Sequence, residues 1–400
     1  MKEFFRLIFI FSPFLIKAQS KICDFSPLPE MINHASLFQQ VQGRMTGDST
    51  TLLRIPVVIH VLHLKDPIGS PNNPTENKII ETIEYLNKTF RAQWPVYADT
   101  LNGGVDLRIE FVLAPKDLSG RPFNGIDRID ASGNAAYSQF GSLRGDLLLN
   151  TMWNKNKYFN IWVIHKLEGR GVGIGAPPAP PGPILNYEGI VIVASNFKGG
   201  DPIVVHETGH YFGLMHTWGT AFGNACPPNN NCETDNDFIC DTEPHPEIAS
   251  CNLIGSINPC TGLPYGNTLK NFMSYSAVTC WDRFTRLQKI RMRETILNLR
   301  PDIPNNDLTI LKPVTLKELN EFKILPNPNY GNFTIYFIAP VSGNFSISIV
   351  NTSGQTVFQE SIAVHMVKEL PLAVNNLQEG IFFVVLRDNS GVLTSRVFIR

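Results

Sequence analysis

The chain has 400 residues, and its 34 lysines and arginines nearly balance 35 aspartates and glutamates, which gives a formal net charge of −1. This balance removes the electrostatic case for binding nucleic acid or an anionic membrane surface, because both require an excess of basic residues. The length is sufficient for two or three domains with separate cores.

The N-terminus has the pattern of a secretory signal, which we expect to span residues 1–18. Two basic residues precede an apolar run over 7–16, and the small residue Ala18 follows it. The run is too short to remain as a membrane anchor, and no other segment reaches the length of a membrane span. The alternative is a lipoprotein acylated at Cys23, although the residues just before that cysteine are not small.

Residues 51–305 follow a short pro-segment (19–50) and have the pattern of a mixed α/β domain. Strands are predicted at 55–62, 105–113, 158–167 and 189–194. Thr75 is a candidate N-cap for a helix in which apolar residues recur at helical spacing as far as Phe90. The proline-rich loop 175–183 is stiff, and it is either a simple connector or one rim of a cleft.

One short segment, HETGHYFGLMH, carries the clearest chemical signal. His206 and His210 are four residues apart, so a helix places both on one face, close enough to share a metal ion. Gly213 can turn the chain sharply and bring His216 back as a third ligand. Three neutral imidazoles leave one tetrahedral position of Zn²⁺ open, which is typical of a catalytic site. Glu207 lies beside that position and is the candidate general base for a zinc-bound water.

The flanking sequence supports this interpretation. Asp201 is a candidate N-cap for the metal-binding helix, with Pro202 at the first helical position. Downstream, the string NFMSY matches the tight turn that places a methionine, here Met273, beneath the zinc in metzincins.

Six of the seven cysteines lie in one loop-rich segment after the metal-binding helix. They are Cys226, Cys232, Cys240, Cys251, Cys260 and Cys280. In a secreted protein such a group predicts disulfide bonds. A second, structural zinc site is the alternative, although the segment contains no closely spaced pair of the C-x-x-C type.

The chain resembles the pappalysin family of metzincin proteases, in its bacterial, ulilysin-like branch. The resemblance spans about residues 51–300 and rests on the zinc helix, the methionine turn and several shorter segments. These segments are IPVVIHV (55–61), the LN…FR helix end (86–91), NIWV (160–163), GIVI (189–192), CDT (240–242) and FT…Q…RM (284–292). The resemblance implies a two-lobed zinc protease domain, with a twisted sheet and the active-site helix above and a smaller lobe with calcium and disulfides below.

The same resemblance implies roles for the site residues. The implied zinc ligands are His206, His210 and His216. Glu207 would be the general base, and Tyr275 corresponds to a tyrosine proposed to stabilise the oxyanion. Where the family often has Met-Asp-Tyr, this chain has Ser274 between Met273 and Tyr275, a departure that affects the hydrogen bonds behind the zinc.

The resemblance also favours particular disulfide pairs. It implies Cys251–Cys280, and it pairs Cys260 with Cys226 or Cys232, which leaves the remaining one of these two for Cys240.

Oxygen ligands cluster in the same segment, where the resemblance implies calcium. The candidate calcium ligands are Asp235, Asp237, Asp241 and Thr242. Hard oxygen donors close together in a loop suit Ca²⁺. Their spacing is not that of an EF-hand, and a solvated acidic loop is the alternative.

The pro-segment is expected to keep the protease latent. Cys23 lies there, and its thiolate could occupy the open zinc position. The surrounding residues lack the familiar cysteine-switch context. Asp24 is therefore a second candidate for the blocking ligand, and an incidental free thiol is a third interpretation.

The specificity pocket departs from the family pattern. Members that cleave before Arg or Lys carry an Asp on the floor of the S1′ pocket, two residues before the cysteine that follows the methionine turn. That position here is Val278, two residues before Cys280. We therefore expect no preference for Arg or Lys at P1′, because a basic side chain would be buried without a partner. The alternative is that Asp282 or Glu243 supplies the charge from elsewhere in the pocket.

After about residue 305 the pattern changes to short strands separated by Gly, Asn and Ser turns. Strands are predicted at 333–337, 345–350, 355–362, 380–387 and 393–399. Residues 306–317 would be a linker and residues 318–400 a small all-β sandwich. This last region resembles the C-terminal sorting domain of type IX secretion substrates, which implies export across the outer membrane of a Bacteroidetes-type bacterium. An ordinary binding module is the alternative.

These features predict a secreted zinc endopeptidase that is made as a latent preproenzyme. Its partners would be protein or peptide substrates and the type IX secretion machinery, with no nucleic acid and no membrane span. Two other functions stay open. One is a secreted adhesin with a vestigial zinc site, which would have no need for Glu207. The other is a zinc amidase that acts on cell-wall peptides with the same chemistry.

Overall fold

A computed structural model gives the fold. It describes residues 50–95, 97–121, 123–140, 146–167, 171–176, 178, 187–219, 225–304, 315–375 and 377–400. The expected signal and residues 19–49 of the expected pro-segment, with Cys23 and Asp24, lie outside the described residues. The same holds for most of the proline-rich loop and of the expected linker.

The first part of the chain forms a six-stranded sheet. Its strands are β1 (Leu53–His63), β2 (Ile109–Leu113), β3 (Ile126–Asp130), β4 (Phe159–Ile164), β5 (Gly173–Ala176) and β6 (Gly189–Val193). The order is β2-β1-β4-β6-β5, and β3 pairs with β1 beyond the end of β2. All pairs are parallel except the one between β6 and the edge strand β5. The mixed α/β architecture predicted from the sequence is confirmed.

Among the described residues, five α-helices accompany this sheet. They are α1 (Glu76–Phe90), α2 (Ala135–Phe140), α3 (Asp146–Thr151), α4 (Ile203–Tyr211) and α5 (Arg286–Leu299). The hydroxyl of Thr75 accepts a hydrogen bond from the backbone N–H of Lys78, so the predicted N-cap of α1 is confirmed. The buried face of α1 joins the main core, which lies against one face of the sheet and includes alternate residues of β1 from Ile55 to Val61.

Helix α4 is buried along its whole length. It begins at Ile203, one residue later than the sequence predicts, with Pro202 at the N-cap position. The Asp201 carboxylate still accepts a hydrogen bond from the backbone N–H of Ile203 at 3.1 Å, so it satisfies one of the free amides at the start of the helix.

An irregular segment with short 3₁₀ helices separates α4 from α5 and is crosslinked by three disulfides. These are Cys226–Cys260, Cys232–Cys240 and Cys251–Cys280, with Cα–Cα distances of 5.4, 4.9 and 5.9 Å. The pairing agrees with the one that the resemblance implies, and it leaves these six cysteines with no role as ligands of a structural zinc.

The C-terminal part forms a separate antiparallel sheet with its own apolar core. Its strands are β7 (Phe322–Leu325), β8 (Asn332–Asn351), β9 (Thr356–Ala373), β10 (Gly380–Arg387) and β11 (Val392–Ile399). The first half of β8 pairs with β7 and the second half pairs with β10. Register shifts against β9 near Val341 mark bulges between the two halves, and bulges of this kind bend a strand. One long hairpin therefore contributes to both layers of a small sandwich.

No helix among the described residues is long and apolar enough to cross a membrane.

Candidate metal centre

Helix α4 and the turn after it bring three histidines together. His206 and His210 lie one helical turn apart, and Gly213 adopts φ +84° just after the helix ends, which reverses the chain. His216 returns to the helix, and the Nε2 atom of His210 lies 3.1 Å from the Nε2 atoms of both other histidines. Among the described residues, this triad is the one group of three or more His, Cys, Asp or Glu side chains whose ligand atoms lie within 4.8 Å of one another.

Backbone carbonyls fix the tautomers of two imidazoles. The Nδ1 atom of His206 lies 2.6 Å from the carbonyl oxygen of Phe272, and that of His210 lies 2.8 Å from the carbonyl oxygen of Leu214. A carbonyl oxygen only accepts, so both Nδ1 atoms carry the proton and both Nε2 atoms present lone pairs to each other. Lone pairs at this distance repel unless a cation lies between them. A tetrahedral Zn²⁺ with bonds of about 2.0–2.1 Å separates its nitrogen ligands by about 3.3 Å, so the donor set fits zinc.

The three imidazoles are fully or almost fully buried. Burial lowers the pKa of His206 to about 4. Burial also lowers the pKa values of His210 and His216 well below the ordinary value, and the neighbouring histidines lower them further. All three side chains are therefore neutral at pH 7, which is the form that binds a metal.

Two indoles hold the imidazole planes. His216 stacks on Trp218 with ring centroids 4.1 Å apart and an interplanar angle of 7°, and His206 stacks on Trp281 at 5.0 Å and 14°. These tryptophans could not be assigned to the site from the sequence. Trp218 is close to His216 in the sequence and Trp281 follows Cys280, but neither position indicates a contact with an imidazole.

Glu207, which lies between the two helical ligands in the sequence, is fully buried, and the edge strand β5 makes room for it. A Cβ atom at Gly173 would lie 2.6 Å from the Oε1 atom of Glu207, and one at Gly175 would lie 2.6 Å from the Cβ of His210. Both distances are shorter than normal contacts between atoms that are not bonded to each other. The glycines of this strand, which the sequence analysis left without a role, are therefore required for the position of α4.

The methionine turn lies directly beneath α4. A Cβ atom at Gly209 would lie 2.4 Å from the sulfur of Met273, which shows how closely the two segments pack. Tyr275 is half-buried, and its ring lies 4.5 Å from the ring of His216. The hydroxyl of Ser274, where the family often has Asp, accepts a hydrogen bond from the backbone N–H of Ser276 at 3.1 Å.

Comparisons with known proteins agree with this geometry. Residues 142–297 match the family model described as pregnancy-associated plasma protein-A, and residues 323–400 match the secretion system C-terminal sorting domain. The chain carries a pappalysin-family peptidase domain and a secretion sorting domain. Both resemblances stated from the sequence are thereby confirmed.

Solved structures and curated relatives extend the comparison. Mature mirolysin of Tannerella forsythia, solved in complex with a cleaved peptide, is 26% identical with a TM-score of 0.52, and the match covers 66% of this chain and 100% of that chain. A promirolysin mutant from the same organism is 25% identical with a TM-score of 0.52, over 69% of this chain and 91% of that chain. An extracellular metalloprotease of Aspergillus oryzae is 32% identical over 130 residues, 32% of this chain and 35% of the relative. The chain thus spans about a third of the length of that curated relative.

Of the four candidate calcium ligands of the pappalysin domain, Asp237 and Thr242 lie together, and Asp235 and Asp241 form hydrogen bonds with other groups. Asp237 is buried and accepts hydrogen bonds from the hydroxyl of Thr242 at 2.8 Å, and burial raises its pKa to about 7. Asp235 instead accepts from the backbone N–H groups of Asn230 and Asn231. Asp241 accepts from the hydroxyl of Thr285 and the N–H of Leu287, at the start of α5.

Val278 is the first residue of a 3₁₀ helix that ends at Cys280. Its side chain is partly buried and packs against the main core of the pappalysin domain. The two acids that could replace the missing pocket carboxylate are engaged elsewhere. Asp282 forms an ion pair with Arg283, and the carboxylate of Glu243 accepts a hydrogen bond from the N–H of Gly266 at 3.1 Å.

The sequence indicates no role for His245, because it lacks metal-ligand spacing. It is fully buried, in an irregular part of the pappalysin domain, with its Nε2 atom 2.7 Å from the hydroxyl oxygen of Thr217.

Proposed function

We propose that this protein is a secreted zinc-dependent endopeptidase made as a latent preproenzyme. The observation that carries the proposal is the convergence of three buried Nε2 atoms, with the tautomers of His206 and His210 fixed by backbone carbonyls. The pappalysin-family domain and the similarity to mirolysin support the same chemistry.

His206, His210 and His216 would hold the zinc, which supplies a Lewis acid that polarises the peptide carbonyl and activates water for attack. The neutral state that burial imposes on these imidazoles favours this binding.

Glu207 would act as the general base. Its carboxylate accepts a proton from the attacking water and returns it to the nitrogen of the leaving amine. Tyr275 would donate its phenol proton in a hydrogen bond to the oxyanion, since its half-buried ring lies against that of His216.

The presence of Glu207 beside the histidines argues against a protein that only binds. An adhesin with a vestigial zinc site would have no need for a general base at this position. A zinc amidase would use the same residues, and the cleaved peptide in the mirolysin complex favours peptide substrates over this alternative.

A digest of a peptide library by the mature protein, with and without a zinc chelator, tests the proposed function. We expect internal cleavage that stops with the chelator and returns on addition of Zn²⁺. Absence of cleavage by the fully metallated protein would favour the adhesin. Release of peptides from cell wall alone would favour the amidase.

We further propose the domain arrangement and the latency. Residues 1–18 would be the signal, 19–50 the pro-segment, 51–305 the catalytic domain, 306–317 the linker and 318–400 the sorting domain. Similarity to a promirolysin supports a latent form. Cys23 and Asp24 are the candidate blocking residues. We compare Cys23→Ala with Asp24→Ala. Only the substitution of the residue that blocks the site should make the full-length protein active before processing.

Calcium remains a proposal for the pappalysin domain. Asp237 and Thr242 lie together, and a cation beside the buried carboxylate would remove the cost of its charge. We expect millimolar Ca²⁺ to raise the melting temperature of the wild-type protein and not that of Asp237→Asn. Equal shifts in both proteins would place calcium elsewhere.

The substrate pocket and the final location complete the proposal. We propose that Val278 forms the pocket floor and that P1′ takes apolar or small residues, since the two candidate acids, Asp282 and Glu243, have other partners. The sorting domain would direct the protein through the type IX machinery to the outside of the cell, where it is held at the surface or released.

A further inference from the structure

The third histidine lies outside helix α4, on a short turn that spans residues 216–219, here named the third-ligand turn. The backbone N–H of Gly219 donates to the carbonyl of His216 at 2.8 Å and closes the turn. His206 and His210 are fixed by their helix. The position of His216 instead depends on whatever holds this turn.

Thr217 is the residue through which the turn is held. It is fully buried, and its backbone N–H donates to the carbonyl of Met273 at 3.1 Å. Its hydroxyl oxygen lies 2.7 Å from the Nε2 atom of His245. Thr217 lies between His216 and Trp218, the indole that stacks on His216. Movement of Thr217 would therefore shift both the ligand and the ring beside it.

The direction of the bond between His245 and Thr217 follows from the tautomer. The Nδ1 atom of His245 lies 2.7 Å from the carbonyl oxygen of Pro246, which can only accept, so Nδ1 carries the proton. The Nε2 atom then presents a lone pair and accepts the hydroxyl proton of Thr217. Because both ring nitrogens are engaged and the ring is buried, the imidazole has one orientation.

We infer that His245 is a positioning residue for the metal ligand His216. It acts through Thr217 and ties the third-ligand turn to the disulfide-crosslinked segment, 28 residues along the chain. This inference rests on the proposed zinc site. It assigns no contact with substrate to His245, whose effect is on the geometry and affinity of the metal site.

Zinc affinity measured by competition with a chelator tests the inference in the mature protein. Thr217→Val keeps the shape and removes the hydroxyl, and His245→Phe keeps a ring and removes the acceptor. Each should weaken zinc binding about 10- to 100-fold, the usual effect of losing a partner that orients a ligand. The double variant should bind zinc no more weakly than the weaker-binding single variant, because both substitutions remove the same hydrogen bond.

The Co²⁺-substituted protein gives a second readout that a merely structural role would not change. Its visible absorption bands should shift in Thr217→Val and His245→Phe. His245→Gln places an acceptor near the former Nε2 position and should restore most of the affinity and the wild-type bands.

Asn258→Ala is the matched control. Asn258 is buried and donates to the carbonyl of Pro244 at 3.0 Å, so its loss loosens the same segment without touching Thr217. It should lower the melting temperature of the metal-free protein and leave zinc affinity nearly unchanged. Equal losses of affinity in Asn258→Ala and His245→Phe would overturn the inference, as would wild-type affinity in Thr217→Val. Absence of zinc binding by the wild-type protein would instead refute the proposed function.

Discussion

The two folded regions of this protein bury different kinds of groups. The pappalysin domain buries the three histidines, Glu207, Asp237 and His245 beside its apolar core. In the described part of the C-terminal sandwich, Asn329 is the single buried polar residue, and the core is otherwise apolar. Buried polar groups cost free energy unless they are paired, so their concentration in one region marks where the chemistry lies.

The two regions use close packing differently. In the pappalysin domain, Gly173 and Gly209 allow several segments to approach one buried site. The sandwich also has a close contact of this kind, at Gly331, but it is held mainly by apolar packing and backbone ladders, so we expect its function in sorting to lie on its surface. Changes in one region should therefore leave the activity of the other region intact.

Of the changes considered, removal of residues 318–400 should have the largest effect. It should separate peptide cleavage from export. We expect the truncated protein to fold and accumulate in the periplasm, since the pappalysin domain has its own core. Fractionation of the producing cells measures this. The purified truncated protein should cleave peptides at the wild-type rate after processing. Normal appearance of the truncated protein outside the cell would contradict the sorting role.

Glu207→Ala should abolish the chemistry of the first region and leave export unchanged. The three imidazoles remain, so zinc content should stay at the wild-type level. Loss of the general base should lower kcat/KM by about 10²–10⁴-fold. Undiminished cleavage by the fully metallated variant would refute the proposed mechanism.

Gly173→Ala tests the close contact between strand β5 and the Glu207 side chain. The new methyl carbon would lie within 2.6–2.9 Å of three atoms of the Glu207 side chain, which must then shift. Displacement of a catalytic group by about 1 Å lowers the rate about 10²-fold, so we expect such a loss in kcat with zinc retained. Gly133→Ala is the control, since its methyl group would meet no atom within 4 Å. Equal activity in both variants would show that the contact is irrelevant.

Val278→Asp should have the smallest effect on the overall rate and change specificity instead. A carboxylate on the pocket floor can pair with a basic side chain, and a charged hydrogen bond contributes about 1.5–3 kcal/mol, so the preference for Arg or Lys over Leu at P1′ should rise about tenfold or more. Val278→Asn, which has the same shape without the charge, should not show this rise. Mass spectrometry of the cleaved peptides measures both. Predominant wild-type cleavage before Arg and Lys would contradict the pocket assignment.

Local patterns carried most of what the sequence could predict. The i, i+4 spacing of His206 and His210, the turn at Gly213 and the methionine turn all depend on residues close in the chain. The structure brings the three histidines together and packs Met273 against the metal-binding helix. The family resemblance supplied the disulfide pairing, which spacing alone leaves open.

Contacts between distant segments were beyond the sequence. Gly173 beside Glu207 and His245 beside Thr217 join residues that share no motif or spacing. Strand β8 was predicted as two strands, because the residues around Gly343 resemble a turn. They form bulges in a continuous strand, since pairing with β9 continues on both sides. Strand β2 begins at Ile109 and not at residue 105, because Arg108 has φ +58°, which an extended strand does not allow.

The proposed chemistry depends on one zinc ion held by the three imidazoles of the pappalysin domain. Diffraction data from crystals of the mature protein, collected above and below the zinc absorption edge, can locate this ion. We expect one strong anomalous peak within bonding distance of the Nε2 atoms of His206, His210 and His216. Zinc-loaded crystals with no peak there, or with their peak at another group of residues, would contradict it.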